Sequence, residues 1–196
     1  MPRPSVRPQL VEAATECFHE RGFNGTGIQD IARTAGIPKG SVYNHFESKE
    51  ALAGEVLDRY AASRRLGMLQ DGKLAPLPRL RAHFEYLAAD LERFSYEHGC
   101  MFGNFGAELS NQTDIMRGKV DAGLNAWTAA VTQVLEEARE AGALTSVLTP
   151  GRLGQFLVDA WEGAVLRAKV TRSRAPLDCF FDVFDSLVVQ QLRSGS

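Results

Sequence analysis

Residues 23–52 of the chain, FNGTGIQDIARTAGIPKGSVYNHFESKEAL, carry the most informative structural pattern of the sequence. Their apolar residues recur at intervals of three and four, which predicts helices rather than strands. Gly36-Ile37-Pro38 interrupts the pattern, because glycine favours the end of a helix and proline suits the start of the next. The stretch is therefore predicted to form a helix-turn-helix over residues 28–35 and 39–45.

The second of these short helices turns a polar face away from its two core residues, Val42 and Phe46. Gly40 has no side chain, so a phosphate backbone can approach the helix closely there. The other residues of this face donate hydrogen bonds suited to phosphates and base edges: Lys39, Ser41, Tyr43, Asn44 and His45. The alternative is an ordinary solvated face, but the adjoining turn and the helix start at Ser48 favour binding to double-stranded DNA.

The segment from Arg7 to Leu52 resembles the DNA-binding domain of the TetR family of bacterial transcriptional repressors. The resemblance rests on a series of short motifs in a fixed order. They are a Thr-capped helix at Thr26, Asp-Ile-Ala at 30–32, Ala-Gly at 35–36, Lys-Gly-Ser at 39–41, an apolar residue and Tyr at 42–43, His-Phe at 45–46 and Ser-Lys-Glu-x-Leu at 48–52. The family implies phosphate contacts from Thr26, Lys39, Tyr43, His45 and Lys49. It places Gly40, Ser41 and Asn44 at the major groove, with Arg3 and Arg7 as arms to the flanking backbone.

The composition is that of a globular protein, and it excludes several other classes. The 196 residues are 44% hydrophobic and carry a net charge of −2, so the chain is neither disordered nor a polycationic nucleic-acid coat. No apolar run approaches the roughly 18 residues of a membrane span. The start Met1–Ser5 lacks the apolar region of a secretory signal, so we expect a cytoplasmic protein without membrane contact.

Catalytic and metal-binding signatures are missing from the sequence. Its three cysteines, Cys17, Cys100 and Cys179, are too widely spaced for a disulfide framework or a CxxC-type zinc site. There is no GxSxG, HExxH, phosphate loop or dinucleotide fingerprint. We therefore expect no enzyme, no metal and no cofactor.

The rest of the chain is predicted to be all-α, with about nine helices in total. Their expected ranges are 6–21, 28–35, 39–45, 49–70, 77–98, 102–110, 113–141, 150–172 and 177–193. Four Gly-apolar pairs are expected to end helices, at Gly22, Gly36, Gly99 and Gly142. Helix caps are expected at Ser48, at Thr149 and in a Thr26–Gln29 capping box.

The family resemblance divides the chain into a DNA-binding domain over residues 1–52 and a sensing and dimerisation domain over 53–196. A short segment, residues 72–75, is the best candidate for a boundary by composition alone. Family members are homodimers whose last two helices pair. The expected interface residues are Phe156, Ala160, Ala164, Phe180, Phe184 and Leu187, although the same stripe also suits ordinary core packing within one subunit.

The middle helices are rich in large apolar residues, and a bundle with such a lining can hold an apolar ligand. The expected lining is Phe84, Leu87, Leu91, Phe102, Phe105 and Trp127, for which a plain core is the alternative.

Cys100 is a second candidate sensor, because Gly99 precedes it and a helix start and His98 would both lower the pKa of a thiol. The segment 98–104 is similar to that of electrophile-sensing repressors of the NemR type, whereas a buried core thiol is the simpler interpretation. Cys17 and Cys179 are expected in the core.

Together these features predict a repressor that binds a palindromic operator and is released by a small apolar ligand or by modification of Cys100. A DNA-binding regulator without an effector is the alternative. An enzyme that uses Cys100 and His98 is disfavoured, because residues two apart on a helix diverge and no third orienting group is identifiable.

Overall fold

The computed structural model describes residues 6–144 and 146–188, in which all regular structure is helical. Its α-helices are α1 (Arg7–Arg21), α2 (Ile28–Thr34), α3 (Lys39–Val42), α4 (Lys49–Ser63), α5 (Pro76–Arg93), α6 (Met101–Leu109), α7 (Asp114–Glu140), α8 (Pro150–Thr171) and α9 (Ala175–Val188). A 3-10 helix, Leu66–Gln70, lies between α4 and α5. The all-α prediction is confirmed, while Arg3 and the predicted end of the ninth helix beyond residue 188 lie outside the described residues.

The chain folds into two compact units. Unit 1 takes its described residues from Met1–Ser63 and Met101–Asp121, and unit 2 takes them from Arg64–Cys100 and Ala122–Ser196. The first division between the compact units falls after Ser63, because α4 packs along α1. The predicted boundary between a DNA-binding domain over 1–52 and a sensing domain over 53–196 concerns function and stays a prediction. The return of α6 to unit 1 was not foreseen from the sequence.

An aromatic cluster holds the helices of unit 1 together. The Phe18 ring of α1 lies 5.6 Å from that of Phe23 and 5.5 Å from that of Phe105, between centroids. The Phe102 ring of α6 lies 5.7 Å from that of Tyr60 on α4. Phe102 and Phe105 are therefore core residues of unit 1.

A carboxylate of α6 reinforces this packing. Glu108 accepts hydrogen bonds from the backbone N–H groups of Phe23, at 3.2 Å, and of Asn24, at 2.8 Å. These bonds fix α6 to the turn between α1 and α2. Gly22 ends α1 as predicted, with a φ of 72° and an N–H that donates to the Phe18 carbonyl at 3.0 Å. The Schellman-type bond is missing there, because the Phe23 N–H bonds to Glu108 rather than to its own helix.

Unit 2 is built around Phe84 of α5. Its ring lies within 6.0 Å of the rings of two tryptophans and two further phenylalanines, between centroids. They belong to Trp127, Trp161, Phe180 and Phe184. The aromatic residues of α7, α8 and α9 therefore converge on one residue of α5.

Two of the predicted glycine stops have the expected geometry. Gly36 has a φ of 65°, and the Ile37 N–H behind it donates to the Ala32 carbonyl at 3.0 Å. Gly142 has a φ of 70°, and the Ala143 N–H donates to the carbonyl of Ala138 at 2.8 Å. Both are Schellman-type ends, which require a left-handed residue.

Two helices end earlier than the sequence pattern suggests. α4 stops at Ser63, because Arg65 adopts a left-handed φ of 52°. α5 stops at Arg93, and Ser95 and Tyr96 then have left-handed φ values of 51° and 61°. The predicted stop at Gly99 therefore lies in a loop, well beyond the end of α5.

Two of the three predicted helix caps are present. The Ser48 hydroxyl accepts the Ala51 N–H at 3.1 Å, and the Thr149 hydroxyl accepts the Arg152 N–H at 3.3 Å. The third cap, a Thr26–Gln29 box, is wrong.

Gly27 caps α2 instead, and its N–H donates to the Asp30 carboxylate at 3.0 Å. The pKa of Asp30 is lowered, mainly because its carboxylate accepts this backbone hydrogen bond. Thr26 stands one residue too early to cap and is buried.

Gly36 and Gly40 offer a matched pair for testing the turn between α2 and α3. Alanine at Gly36 would adopt a strained left-handed φ, so Gly36→Ala should cost about 1 kcal/mol of unfolding free energy. Alanine at Gly40 would stand in open space within a helix, so Gly40→Ala should gain roughly 0.5 kcal/mol. Urea denaturation measures both, and a loss of similar size in both variants would contradict the turn geometry.

Candidate nucleic-acid interface

The candidate interface is the outward face of α3 and the turn that follows it. The α-helix covers only Lys39–Val42, because the chain then passes into a turn in which the His45 N–H bonds to the Val42 carbonyl at 3.0 Å. Burial of Val42 and Phe46 fixes which side faces inward. The predicted helix over 39–45 is thus shorter than expected, but its two faces lie as predicted.

The exposures of the predicted DNA-contacting residues agree with this arrangement. Tyr43 is a large side chain with 55% of its surface exposed, and Lys39, Gly40 and Asn44 are also exposed. Ser41 and His45 are half-buried.

The backbone at Gly40 is open to a partner. A Cβ built on Gly40 would have no heavy atom of the described part of the chain within 4 Å, apart from its own neighbours in α3. Neither a special φ nor close packing within the chain therefore requires glycine here. Close approach by another molecule is a physical reason for a glycine at such a place.

Thr26 does not belong to the exposed face. Its side chain is only 1% exposed, and its hydroxyl donates within unit 1 to the carbonyl of Gly22 at 2.7 Å. The expected phosphate contact by this side chain is wrong, because the hydroxyl is turned inward to join the end of α1 to the start of α2.

Lys49 has a structural role that the sequence pattern did not indicate. Its ammonium donates to the carbonyls of Phe23 and Thr26, both at 3.0 Å, and lies 4.0 Å from the centroid of the Phe23 ring. Two of its three N–H donors are therefore used to hold the turn before α2. One donor is left for the expected phosphate.

Arg7 is also engaged inside unit 1 rather than extended as an arm. Its guanidinium pairs with Glu55, where Nε lies 2.9 Å from Oε2, and donates to the His45 carbonyl at 2.7 Å. It lies 4.3 Å from the centroid of the Phe46 ring. Arg7 thus holds the turn after α3 against α4, and its expected contact with the flanking DNA backbone stays a prediction.

Comparison with known proteins identifies the family. The family model "Bacterial regulatory proteins, tetR family" matches residues 10–56, and "Tetracyclin repressor-like, C-terminal domain" matches residues 76–184. The chain belongs to the TetR family. TetR-family regulators bind operator DNA and dimerise, and they are transcriptional regulators rather than enzymes.

Full-length relatives support this assignment. The transcriptional repressor DhaR of Mycobacterium sp. (strain GP1) is 40% identical over 192 residues, which cover 96% of this chain and 95% of DhaR. The transcriptional repressor NemR of Escherichia coli (strain K12) is 33% identical, with 88% of each chain covered. The crystal structure of reduced E. coli NemR matches with a TM-score of 0.87 and 32% identity, over 95% of this chain and 98% of that one.

The described residues show no membrane-spanning helix, since none of their helices is long and apolar enough. Nor do they hold three or more His, Cys, Asp or Glu residues grouped to bind a metal ion.

The expected dimer residues on α8 and α9 divide into two groups. Phe156 is 48% exposed and Leu187 is also exposed, as a contact with a second copy would require of a single chain. Phe180 and Phe184 are buried against Phe84, so they serve mainly as core of unit 2. A shallow apolar groove of about 220 Å³ lies between the two helices. Its lining includes Phe156, Ala160, Ala164, Cys179 and Val183.

The expected ligand lining is divided as well. Phe84, Leu87, Leu91 and Trp127 pack in the core of unit 2. Phe102 and Phe105 belong to unit 1, as described above, because α6 returns to that unit. The expected lining therefore takes residues from both units, and its role in ligand binding stays a prediction.

Cys100 is half-buried and has a partner that the sequence did not reveal. Its thiol is hydrogen-bonded to the carboxyl group of Glu162 on α8. Burial, and to a smaller extent the charge of Asp159, raises the pKa of Glu162 to about 7. No sequence motif connects residues 62 positions apart, so only the folded structure shows this pair.

His98 does not supply the positive charge that was expected beside Cys100. Burial lowers the pKa of His98, and the Lys169 ammonium lowers it further against the opposite effect of Asp90. Of the other cysteines, Cys17 is buried as predicted, whereas Cys179 is exposed, which contradicts the prediction of a core position.

Lys49 and Lys39 test the difference between a structural and an exposed lysine in this interface. Lys49→Met should lower the unfolding free energy by about 1–2 kcal/mol, because two backbone carbonyls lose a charged donor. Lys39→Met should change it by less than about 0.5 kcal/mol, as is usual for exposed positions. Urea denaturation at one pH compares the two, and equal effects would show that the Lys49 contacts do not stabilise the turn.

Proposed function

We propose that the protein is a repressor that binds a palindromic DNA operator as a homodimer and is released by an effector in the cytoplasm. The observation that carries the proposal is the exposed polar face around Gly40, whose backbone is left open by residues 6–144 and 146–188. The names of DhaR and NemR, both repressors, support the direction of regulation.

In this proposal the residues of the face divide by chemistry. Lys39, Tyr43 and His45 contact phosphates, which position the protein without reading sequence. Ser41 and Asn44 read base edges in the major groove, since an amide can pair with adenine through two hydrogen bonds. Lys49 adds its remaining donor to a phosphate while it holds the turn.

Dimerisation places two such faces on one operator. The exposed apolar residues of α8 and α9 are the proposed contact, with Phe156, Ala160 and Leu187 at its centre. Two half-sites of a palindrome lie about 34–36 Å apart, one turn of the double helix. An effector then releases the dimer from DNA by favouring a state in which the two faces no longer match that spacing.

Gly40 provides a sharp test of the DNA interface. A methyl group at this position would meet nothing in the free protein but would stand between α3 and DNA. Gly40→Ala should therefore weaken binding to a selected operator about tenfold or more, which is roughly 1.4 kcal/mol. The operator is selected from random DNA, and affinity is measured by fluorescence anisotropy.

The matched control is Gly118→Ala on α7, where the added methyl group also meets nothing. This variant should bind like wild type. If Gly40→Ala binds equally well, DNA does not approach α3 at that point and the proposed interface is wrong.

Phe156 tests the dimer contact. Phe156→Glu would bury an unpaired carboxylate between two copies, which destabilises the dimer. The single chain should still fold, because this side chain is half exposed there. Sedimentation should show a monomer of 21.5 kDa for this variant and twice that mass for wild type. Phe184→Glu is unsuitable, because Phe184 is 1% exposed and the variant would disrupt unit 2 itself.

Val147→Glu is the control for the same chemical change at a fully exposed position outside α8 and α9. It should remain a dimer. A dimeric Phe156→Glu of intact helical content would place the contact elsewhere.

The effector is proposed to be a small apolar ligand or an electrophile that modifies Cys100. The pairing of Cys100 with Glu162 favours the second route, because a carboxylate with a pKa near 7 can take the thiol proton as sulfur bonds to the electrophile. With N-ethylmaleimide, sulfur adds to the carbon–carbon double bond and the other alkene carbon is finally protonated.

Alkylation kinetics test the Cys100 route. N-ethylmaleimide should release wild type and Cys179→Ser from the operator, and it should leave Cys100→Ser bound. Glu162→Gln should slow alkylation of Cys100 at neutral pH, because the carboxylate that takes the thiol proton is then absent. Release of Cys100→Ser, or no release when mass spectrometry shows Cys100 modified, would leave the reversible ligand as the effector.

A further inference from the structure

His83 on α5 is a histidine buried in the apolar core of unit 2. Its side chain has 0% of its surface exposed. Its Nε2 atom accepts a hydrogen bond from the indole N–H of Trp127 at 3.0 Å. An indole nitrogen is only a donor, so Nε2 must carry a lone pair and the proton must lie on Nδ1. His83 is therefore a neutral imidazole with a defined N–H donor.

That donor has no hydrogen-bond partner among residues 6–144 and 146–188. The neighbouring rings are aromatic: the imidazole centroid lies 5.8 Å from that of Phe84 and 6.0 Å from that of Trp127. Buried polar groups are nearly always paired, and an unpaired donor destabilises the folded state. The arrangement calls for an acceptor that the described chain does not supply.

A purely structural role of His83, as the hydrogen-bond acceptor for Trp127, does not account for the Nδ1–H donor. It explains the hydrogen bond at Nε2 but leaves Nδ1 unused. Two apolar side chains at these positions would fill the same core without an unpaired group. A ligand acceptor explains both nitrogens of His83.

The surroundings also restrict the charge of a ligand. Burial, and to a smaller extent the nearby charge of Arg64, lowers the pKa of His83 to about 4, so the ring stays neutral at neutral pH. Arg64 is itself paired with Asp90 at 2.7 Å. An anionic ligand would meet a neutral donor and an arginine already matched by a carboxylate, so an uncharged acceptor fits better.

We propose that His83 is the polar anchor of an effector site in unit 2, where Nδ1–H donates to the carbonyl oxygen of an uncharged, mainly apolar ketone or aldehyde. The proposal rests on the effector response put forward above and names the chemical class of a reversible ligand. The apolar body of the ligand packs among the rings around Phe84, which must separate to admit it. Trp127 then reports binding, because its indole is hydrogen-bonded to the same imidazole.

The test compares ketones with hydrocarbons of the same shape. Acetophenone and cyclohexanone differ from α-methylstyrene and methylenecyclohexane only by oxygen in place of CH₂, and none of the four is an electrophile of the maleimide kind. Wild type should bind each ketone about five- to tenfold more tightly than its hydrocarbon partner, as expected for one neutral hydrogen bond. Tryptophan fluorescence titration of the full-length protein without DNA measures the affinities.

His83→Leu removes the donor and keeps an apolar side chain. It should bind ketone and hydrocarbon equally. A second measurement does not depend on this variant: in wild type labelled with ¹⁵N-histidine, NMR should show the Nδ1-protonated form, and only the ketones should shift its Nδ1 resonance.

Equal affinity of wild type for both members of each pair would overturn the proposal, as would an unchanged Nδ1 resonance or absence of ketone binding. Operator release is measured separately. Ketone binding that depends on His83 but does not affect DNA affinity would support the site and contradict the effector role in the proposed function. If wild type still prefers the ketones but binds no selected operator, the His83 site is supported and the proposed DNA interface is wrong.

Discussion

The proposed DNA-binding surface around α3 depends on the burial of Val42 and Phe46. A helix of four residues cannot hold its conformation in water by its own hydrogen bonds, since the first turn fixes several residues for one bond. Tertiary contacts must therefore orient α3. Val42 and Phe46 fix its inner side, Arg7 holds the carbonyl of His45, and Lys49 holds the turn before α2. Two cations expected at phosphates thus act partly or wholly by positioning the surface.

The sequence predicted those parts of the fold that local rules decide. The glycine ends at Gly36 and Gly142 and the caps at Ser48 and Thr149 each depend on residues fewer than seven positions apart. The orientation of α3 was also predictable, because Val42 and Phe46 share one face of any helix. The family resemblance added the function, which periodicity alone does not contain.

The remaining features depend on contacts between distant residues. Glu108 takes the Phe23 N–H and so replaces the local Schellman-type bond with a bond across 85 positions. The same return of α6 moved Phe102 and Phe105 from the expected ligand lining into unit 1. Glu162 and His83 acquire their properties from burial, which raises the pKa of the carboxyl and lowers that of the imidazole. No spacing rule could have identified either residue.

The open space at Gly40 has a genetic consequence. If α8 and α9 form the dimer contact as proposed, a variant that fills this space should remain folded and still pair with wild-type subunits in the same cell. Each mixed dimer carries one defective reading face, and half of a palindrome is then unread. Substitutions at Gly40 should therefore be dominant over the wild-type allele. Substitutions that unfold unit 1, such as a charged residue at Val42, should be recessive, because an unfolded chain does not enter the dimer.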